Sequence, residues 1–361
     1  MSPVRKVLIG LPLVVLLVLA GAATGLVTIT ASSGHWAITE WFLHFAMRRS
    51  VVTHAMLVDE PPIDLDDEAL ILQGAGHYES GCRVCHGAPG QRLPPVPAAM
   101  TPHPPALGPR VSQWRPRELF YIVRHGVKMT GMPAWPDAGR EDEVWAVVAF
   151  LRQLPGMEPD RYRELALGAG TSAVAAGDAE VPDVVVRACA RCHGVDGLGR
   201  GAAFPPLAGQ RLGYLRRALD GYAANQRHSG IMEPVVAHLS AEQREQASQH
   251  YAALPPPPAQ PVVDAQAVER GRRLASEGNP RRHVPACAEC HLPSGSRIND
   301  AYPLLAGQSA RYLAQQLRLM QARKRGGSDY LHLMHEFVDD LDEHAITDVA
   351  AFFASSGGRR P

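Results

Sequence analysis

Gly81-Cys82-Arg83-Val84-Cys85-His86, Ala188-Cys189-Ala190-Arg191-Cys192-His193 and Ala286-Cys287-Ala288-Glu289-Cys290-His291 decide the reading of this chain. They hold all six cysteines of its 361 residues, in pairs separated by two residues, and each pair is followed at once by a histidine. Cys-x-x-Cys-His is the attachment sequence for c-type haem: two thiols add to the porphyrin vinyl groups, and the adjacent imidazole lies beneath the ring to ligate iron. A thioredoxin-like redox pair and half of a zinc site use the same cysteine spacing. Neither accounts for three copies that each carry a histidine and leave no cysteine over, and a disulfide framework accounts for them no better. The expected cofactor is therefore haem c, three times and covalently attached. Its binding residues are Cys82, Cys85 and His86, then Cys189, Cys192 and His193, then Cys287, Cys290 and His291.

Composition agrees with folded domains rather than a disordered tail, at 46% apolar and 20% charged residues. Lys+Arg and Asp+Glu are 36 each, so the formal charge is zero. That excludes a dedicated nucleic-acid binder, which needs a clustered basic excess against phosphate. Aromatic residues are only 6%, so something other than aromatic side chains is expected to help fill the cores. Residues 1–57 carry 4 basic and 1 acidic side chains, and 58–160 carry 9 and 14. The counts are 10 and 9 in 161–261, and 13 and 12 in 262–361. Linkers stand out at Leu154-Pro155-Gly156, with a polar stretch after it, and at the proline run Leu254 to Pro258. These divisions predict an N-terminal anchor (1–57) and three haem domains (58–160, 161–261 and 262–361).

No charged residue lies between Lys6 and Glu40, and the most apolar part runs from Val7 to Ile29. About 20 helical residues span a bilayer core, so a transmembrane helix is expected. Ala20-Gly21-Ala22 also offers a leader-type cleavage site. Arg5 and Lys6 place the N-terminus in the cytoplasm and the remainder across a bacterial inner membrane, in the periplasm. His35 to Ser50 sets Trp36, Trp41, Phe42, Phe45 and Met47 around a helical repeat ahead of Arg48 and Arg49. Such a helix lies on a membrane surface or packs on the first haem domain.

The second and third domains are repeats. A shift of 98 carries Cys189, Cys192 and His193 onto Cys287, Cys290 and His291, and Leu207-Ala208-Gly209-Gln210 onto Leu305-Ala306-Gly307-Gln308. Past Arg227 and Arg325 the shift is 102, which carries Met232 onto Met334 and Tyr251 onto Phe353. Sparse, chemically special residues recurring at one period mark a duplicated unit. The first domain keeps the order of parts at another spacing, with helices near Asp66–His77 and over Glu141–Leu154. The matching closing helices run from Ala241 to Ala253 and from Asp342 to Ala354, with Ser240 and Asp342 as N-caps.

The sixth iron ligand sets a haem's task, and a thioether sulfur raises its potential. Met132, in Thr130-Gly131-Met132-Pro133-Ala134-Trp135, lies 46 residues after His86 and has Met129 as rival. Met232 lies 39 residues after His193, with His228 and His238 as rivals that the repeat does not preserve. Met334 lies 43 residues after His291, flanked by His332 and His335. The predicted iron ligands are His86, Met132, His193, Met232, His291 and Met334. Arg191, Arg227 and Arg325 are candidate partners for haem propionates, since guanidinium matches carboxylate in a bidentate fork.

On these residues all three domains resemble class I cytochromes c, with an N-terminal helix, the haem motif, a loop methionine and a C-terminal helix. That resemblance implies an all-α fold of three such domains in tandem behind the membrane helix. The last two domains are similar to dihaem cytochromes of the c-four type, and the Leu-Ala-Gly-Gln repeat supports this. The Gly-Met-Pro-Ala-Trp loop is similar to that of haem domains attached to bacterial oxidases and dehydrogenases. The whole layout resembles the triheme subunits of membrane-bound dehydrogenases, although those are often anchored from the other end. The expected function is membrane-tethered electron transfer between a respiratory donor and a terminal oxidase or other acceptor, and not catalysis. Dehydrogenases, quinol-oxidising complexes and terminal oxidases are the expected partners, with acidic domain one meeting a basic patch. A subunit of a membrane-bound dehydrogenase is the alternative. A haem enzyme, such as a peroxidase or small-oxide reductase, would need one open iron site.

Overall fold

The computed structural model describes residues 3–25, 28–168, 181–295 and 299–357. Among them the chain is helical, with no strand beyond one antiparallel bridge between Asn279 and Val284. The first helix, α1 (Pro3–Ala23), has 21 residues and contains no acidic side chain. At 1.5 Å per residue it is about 32 Å long, near the thickness of a bilayer core. It is the one helix among the described residues long and apolar enough to cross a membrane, a test that a leader sequence also passes. The apolar run expected to continue to Ile29 passes through residues 26 and 27, which lie outside the described residues.

Helix α2 (Ala37–His54) joins this segment to the first domain, and its two halves differ. Its N-terminal half leaves Trp41, Phe42 and Phe45 exposed, with Trp41 stacked on Phe45. Its C-terminal half is docked: Val51 is buried, Arg48 lies over the Trp114 ring, and His54 stacks on Tyr121.

Among the described residues, buried apolar side chains form three clusters along the chain. In the first, α3 (Glu68–His77), capped by the Asp67 side chain, crosses α5 (Glu141–Gln153). The crossing is close enough that a Cβ on Gly74 would lie 1.9 Å from the Ala146 carbonyl oxygen. Between them in sequence, α4 (Pro116–His125) packs on α5 and stacks Phe120 against Trp145. The stretch after Gly156, expected as a polar linker, forms α6 (Pro159–Leu167), since Tyr162, Leu165 and Ala166 join this cluster beyond residue 160. Helix α5 also departs from the amphipathic pattern: Glu143 through Leu151 are all buried. One flank meets α3, while Glu143 reaches across to Ser229 in the second domain.

The second cluster joins α7 (Leu212–Ala223) to α9 (Ala241–Ala253), with the short α8 (Met232–Val236) between them. The third joins α10 (Ala265–Glu277), α11 (Ala310–Gln321) and α13 (Glu343–Ser355), with α12 (Leu331–Asp339) ahead of the last. Here Gly271 plays the part of Gly74: its Cβ would lie 2.0 Å from the Asp348 carbonyl oxygen. The expected caps are present, Ser240 accepting from the Gln243 N–H and Asp342 from the Ala345 N–H. Such caps are each worth about 1 kcal/mol to their helices.

Candidate functional site

Each haem motif stands on a single helical turn: Arg83–His86, Ala190–His193 and Ala288–His291. In the first two domains a wide π-type turn, Tyr78–Cys82 or Val185–Cys189, delivers the first cysteine. Wide turns of this kind shift the register of a helix by one residue and recur at functional sites.

The three histidines share one arrangement. Nδ1 of His86 lies 2.9 Å from the Pro105 carbonyl oxygen, that of His193 3.0 Å from Pro205, and that of His291 2.8 Å from Pro303. A carbonyl only accepts, so Nδ1 carries the hydrogen and Nε2 keeps its lone pair. Burial lowers the pKa of all three imidazoles and favours the neutral form. The turn after the histidine is also tied down twice. The Tyr78 hydroxyl donates to the Gly87 carbonyl at 2.8 Å, and the Tyr251 hydroxyl to the Gly194 carbonyl at 2.9 Å. Phe353 occupies the Tyr251 position of the third domain and lacks the hydroxyl.

The cysteines flanking these histidines are half-buried. Burial pushes the thiols of Cys82 and Cys189 up to about 12 and that of Cys287 to about 11. Redox pairs and zinc sites work through thiolates, whose pKa is lowered by positive surroundings. The donor set therefore fits the haem reading: neutral imidazoles with a free Nε2 beside protonated thiols.

The candidate methionines differ from their rivals in setting. Met132 is half-buried, whereas Met129 is 90% exposed with a φ of 62°. Met232 is half-buried. Its rival His238 is exposed, and Nδ1 of His228 lies 3.3 Å from Asp137 and 3.8 Å from Glu233. Met334 is half-buried and His332 exposed. Two of the expected loop methionines are in helices: Met232 opens α8, and Met334 lies inside α12. For Met232 the reason is local: Ser229 Oγ accepts from the Ile231 and Met232 N–H groups and so starts α8.

The repeat places paired side chains across the seam between domains two and three. Nε2 of Gln210 donates to the Leu304 carbonyl and Nε2 of Gln308 to the Pro206 carbonyl, both at 3.0 Å. Beside them Arg227 and Arg325 are buried and, among the described residues, form no ion pair with a carboxylate. Arg227 donates to the hydroxyls of Tyr214 and Tyr312, and Arg325 to Tyr214. Burial acts to raise the Tyr214 phenol, but the two guanidinium groups outweigh it and bring it down to about 8. Two buried cations served mainly by neutral acceptors leave positive charge uncompensated. Arg191 donates to the Ser80 hydroxyl of domain one, and its Nε is buried without a partner.

Sequence reasoning missed Glu143, which is fully buried at the seam between domains one and two. It accepts from the Ser229 hydroxyl and the Gly230 N–H at 2.7 Å each, and pairs with Arg140 at 2.8 Å. Burial pushes its carboxyl up to about 7, with the Arg140 guanidinium pulling the other way.

The helical fold and the tandem haem-attachment turns define a c-type cytochrome, an electron carrier and not itself an enzyme. Residues 69–151 match the family described as cytochrome c oxidase, cbb3-type, subunit III, and residues 179–259 the family described as cytochrome c. The chain is 38% identical to the thiosulfate dehydrogenase electron acceptor of Stutzerimonas stutzeri, over 47% of this chain and 79% of that one. It is 34% identical to the protein of the same name from Thiomonas intermedia, over 46% of this chain and 77% of that one. It is 30% identical to cytochrome c4 of Pseudomonas aeruginosa, over 52% of this chain and 93% of that one. The chain belongs to the cytochrome c family.

Proposed function

We propose that this chain carries electrons at the periplasmic face of a bacterial inner membrane through three covalently bound haems, each ligated by histidine and methionine. The observation that carries the reading is the threefold Nδ1 hydrogen bond to a proline carbonyl, which leaves Nε2 of His86, His193 and His291 available to iron. Cys82 and Cys85, Cys189 and Cys192, and Cys287 and Cys290 would hold the porphyrins by thioether links. Met132, Met232 and Met334 would supply sulfur from the other side. Haem c provides one-electron exchange between ferric and ferrous iron.

The residues around each motif keep the imidazole neutral and oriented, and a rigid ligand of this kind needs little rearrangement when the iron changes charge. Arg227 and Arg325 supply buried positive charge suited to haem propionates, consistent with the absence of a carboxylate partner among the described residues. The apolar α1 and the exposed aromatic half of α2 support a membrane tether and an interfacial belt.

A dehydrogenase is the proposed donor, and thiosulfate dehydrogenase is the specific candidate, because two similar proteins bear the name of its electron acceptor. The test is purification from membranes in mild detergent, followed by intact-mass measurement, haem quantitation and identification of bound subunits. The expected result is the mass of the polypeptide plus three haems, three methionine–iron charge-transfer bands and reduction by a thiosulfate dehydrogenase. One high-spin haem that binds carbon monoxide readily would instead support an enzyme, and fewer than three haems would overturn the ligand assignment.

A further inference from the structure

Glu143 belongs to the closing helix of domain one, yet two of its four hydrogen-bond donors lie in domain two. The Ser229 hydroxyl and the Gly230 N–H donate to it at 2.7 Å, the Trp135 indole at 3.3 Å, and Arg140 pairs with it at 2.8 Å. Arg140 also donates to the His228 carbonyl at 2.8 Å, so domain one grips three consecutive residues of domain two. A hydroxyl has one hydrogen and two lone pairs. With its hydrogen committed to Glu143, Ser229 Oγ accepts from the N–H groups of Ile231 at 3.2 Å and Met232 at 3.1 Å. The chain of bonds therefore runs from Glu143 through Ser229 to the backbone of Met232.

Trp135 completes the contact. Its Nε1 lies 2.3 Å from where a Cβ of Gly230 would stand, so the residue there must be glycine for the two segments to meet. Trp135 follows Met132 by three residues, and Gly230 precedes Met232 by two. The methionine segments of domains one and two thus share one buried carboxylate. The third domain has Leu331 at the position of Ser229 and no hydroxyl to play this part.

We propose that Glu143 is a positioning residue for the second haem: through Ser229 it sets the placement of the Met232 segment, so that domain one controls a ligand of domain two. This rests on Met232 being an iron ligand. The test is a spectroelectrochemical titration of the intact protein in detergent, comparing wild type with Glu143→Gln, Ser229→Ala and Met232→His. Met232→His identifies the second haem by the midpoint that falls and the methionine–iron band that vanishes.

The expected result is that Glu143→Gln and Ser229→Ala each shift that same midpoint and weaken that same band. The other two midpoints stay in place, and the double variant shifts no further than the larger single one. A Met232→His protein with all midpoints unchanged would refute the ligand assignment itself. Loss of the Met232 midpoint in Met232→His, with no change in either Glu143→Gln or Ser229→Ala, would overturn the positioning role alone. Equal shifts of all three midpoints would also overturn it. Ser229→Ala serves where Glu143→Gln does not fold, since it removes one hydroxyl and keeps the backbone.

Discussion

Gln210 and Gln308 bind each other's domains reciprocally: each donates its side-chain amide to a backbone carbonyl across the seam, at Leu304 and at Pro206. The symmetry breaks at one atom. Leu304 also returns its N–H to Gln210 Oε1 at 2.8 Å, whereas proline at 206 has no N–H to return.

Removing the Gln210 side chain therefore strands two donors, the N–H groups of Leu304 and Arg211, and one acceptor, whereas removing that of Gln308 strands one donor, the Ser309 N–H, and one acceptor. A stranded partly buried backbone group costs about 1–3 kcal/mol. Gln210→Ala is expected to destabilise the C-terminal pair of domains more than Gln308→Ala, as read by chemical denaturation. Equal costs would show that the Leu304 N–H finds water.

His77 is buried beside Trp135, the two rings edge to face with centroids 5.9 Å apart, and its Nε2 has no hydrogen-bond partner. Burial, aided by Arg140 and Arg191, pushes this imidazole down to about 3 from an ordinary value of 6.5. The unfolded chain then binds one more proton than the folded one between these values. The contribution to stability is complete above pH 6.5 and is lost as pH falls toward 3, by up to ~5 kcal/mol. Stability measured against pH should lose part of its acid slope in His77→Phe, and an unchanged slope would place the titration elsewhere.

Gly74 and Gly271 sit where helices cross, with carbonyl oxygens at 1.9 and 2.0 Å from the missing Cβ. Backbone cannot move aside as a side-chain tip can. Gly74→Ala and Gly271→Ala should each cost at least the ~1–3 kcal/mol typical of overpacking. The loss should appear in the first domain for Gly74→Ala and in the third for Gly271→Ala, as mapped by hydrogen exchange.

Met132 and Met129 are separated by three residues and by their surroundings. Met132→Leu should remove one methionine–iron band and lower one midpoint potential. Met129→Leu should leave all three bands, since that side chain is 90% exposed. Visible and near-infrared spectra of the oxidised variants decide between them.

The haem motifs, the repeat and the helix caps were legible because each depends on residues close in sequence. Cys189 to His193 is one turn, and Asp342 caps a helix that begins beside it. The placement of Met334 was less legible, since a methionine in a short helix and one in a loop have the same neighbours in sequence. Glu143 was hidden by its company: Glu141, Asp142 and Glu143 read together as an acidic first turn that suits the helix dipole. Only the arrival of Ser229 and Gly230 from 86 and 87 residues away separates the third acid from the other two. The full burial of α5 was hidden for a related reason, because it depends on α3 and α4, distant in sequence, packing on two of its flanks.

Helix α2 is fastened at one end, by Arg48 over Trp114 and His54 on Tyr121, and bare at the other. On a tethered protein this would make α2 a stiff extension of the first domain, its aromatic end projecting from the body that carries the haem. Settling that end into lipid would then lean the whole first domain with it, and a flexible insertion between His54 and Asp67 would uncouple the two.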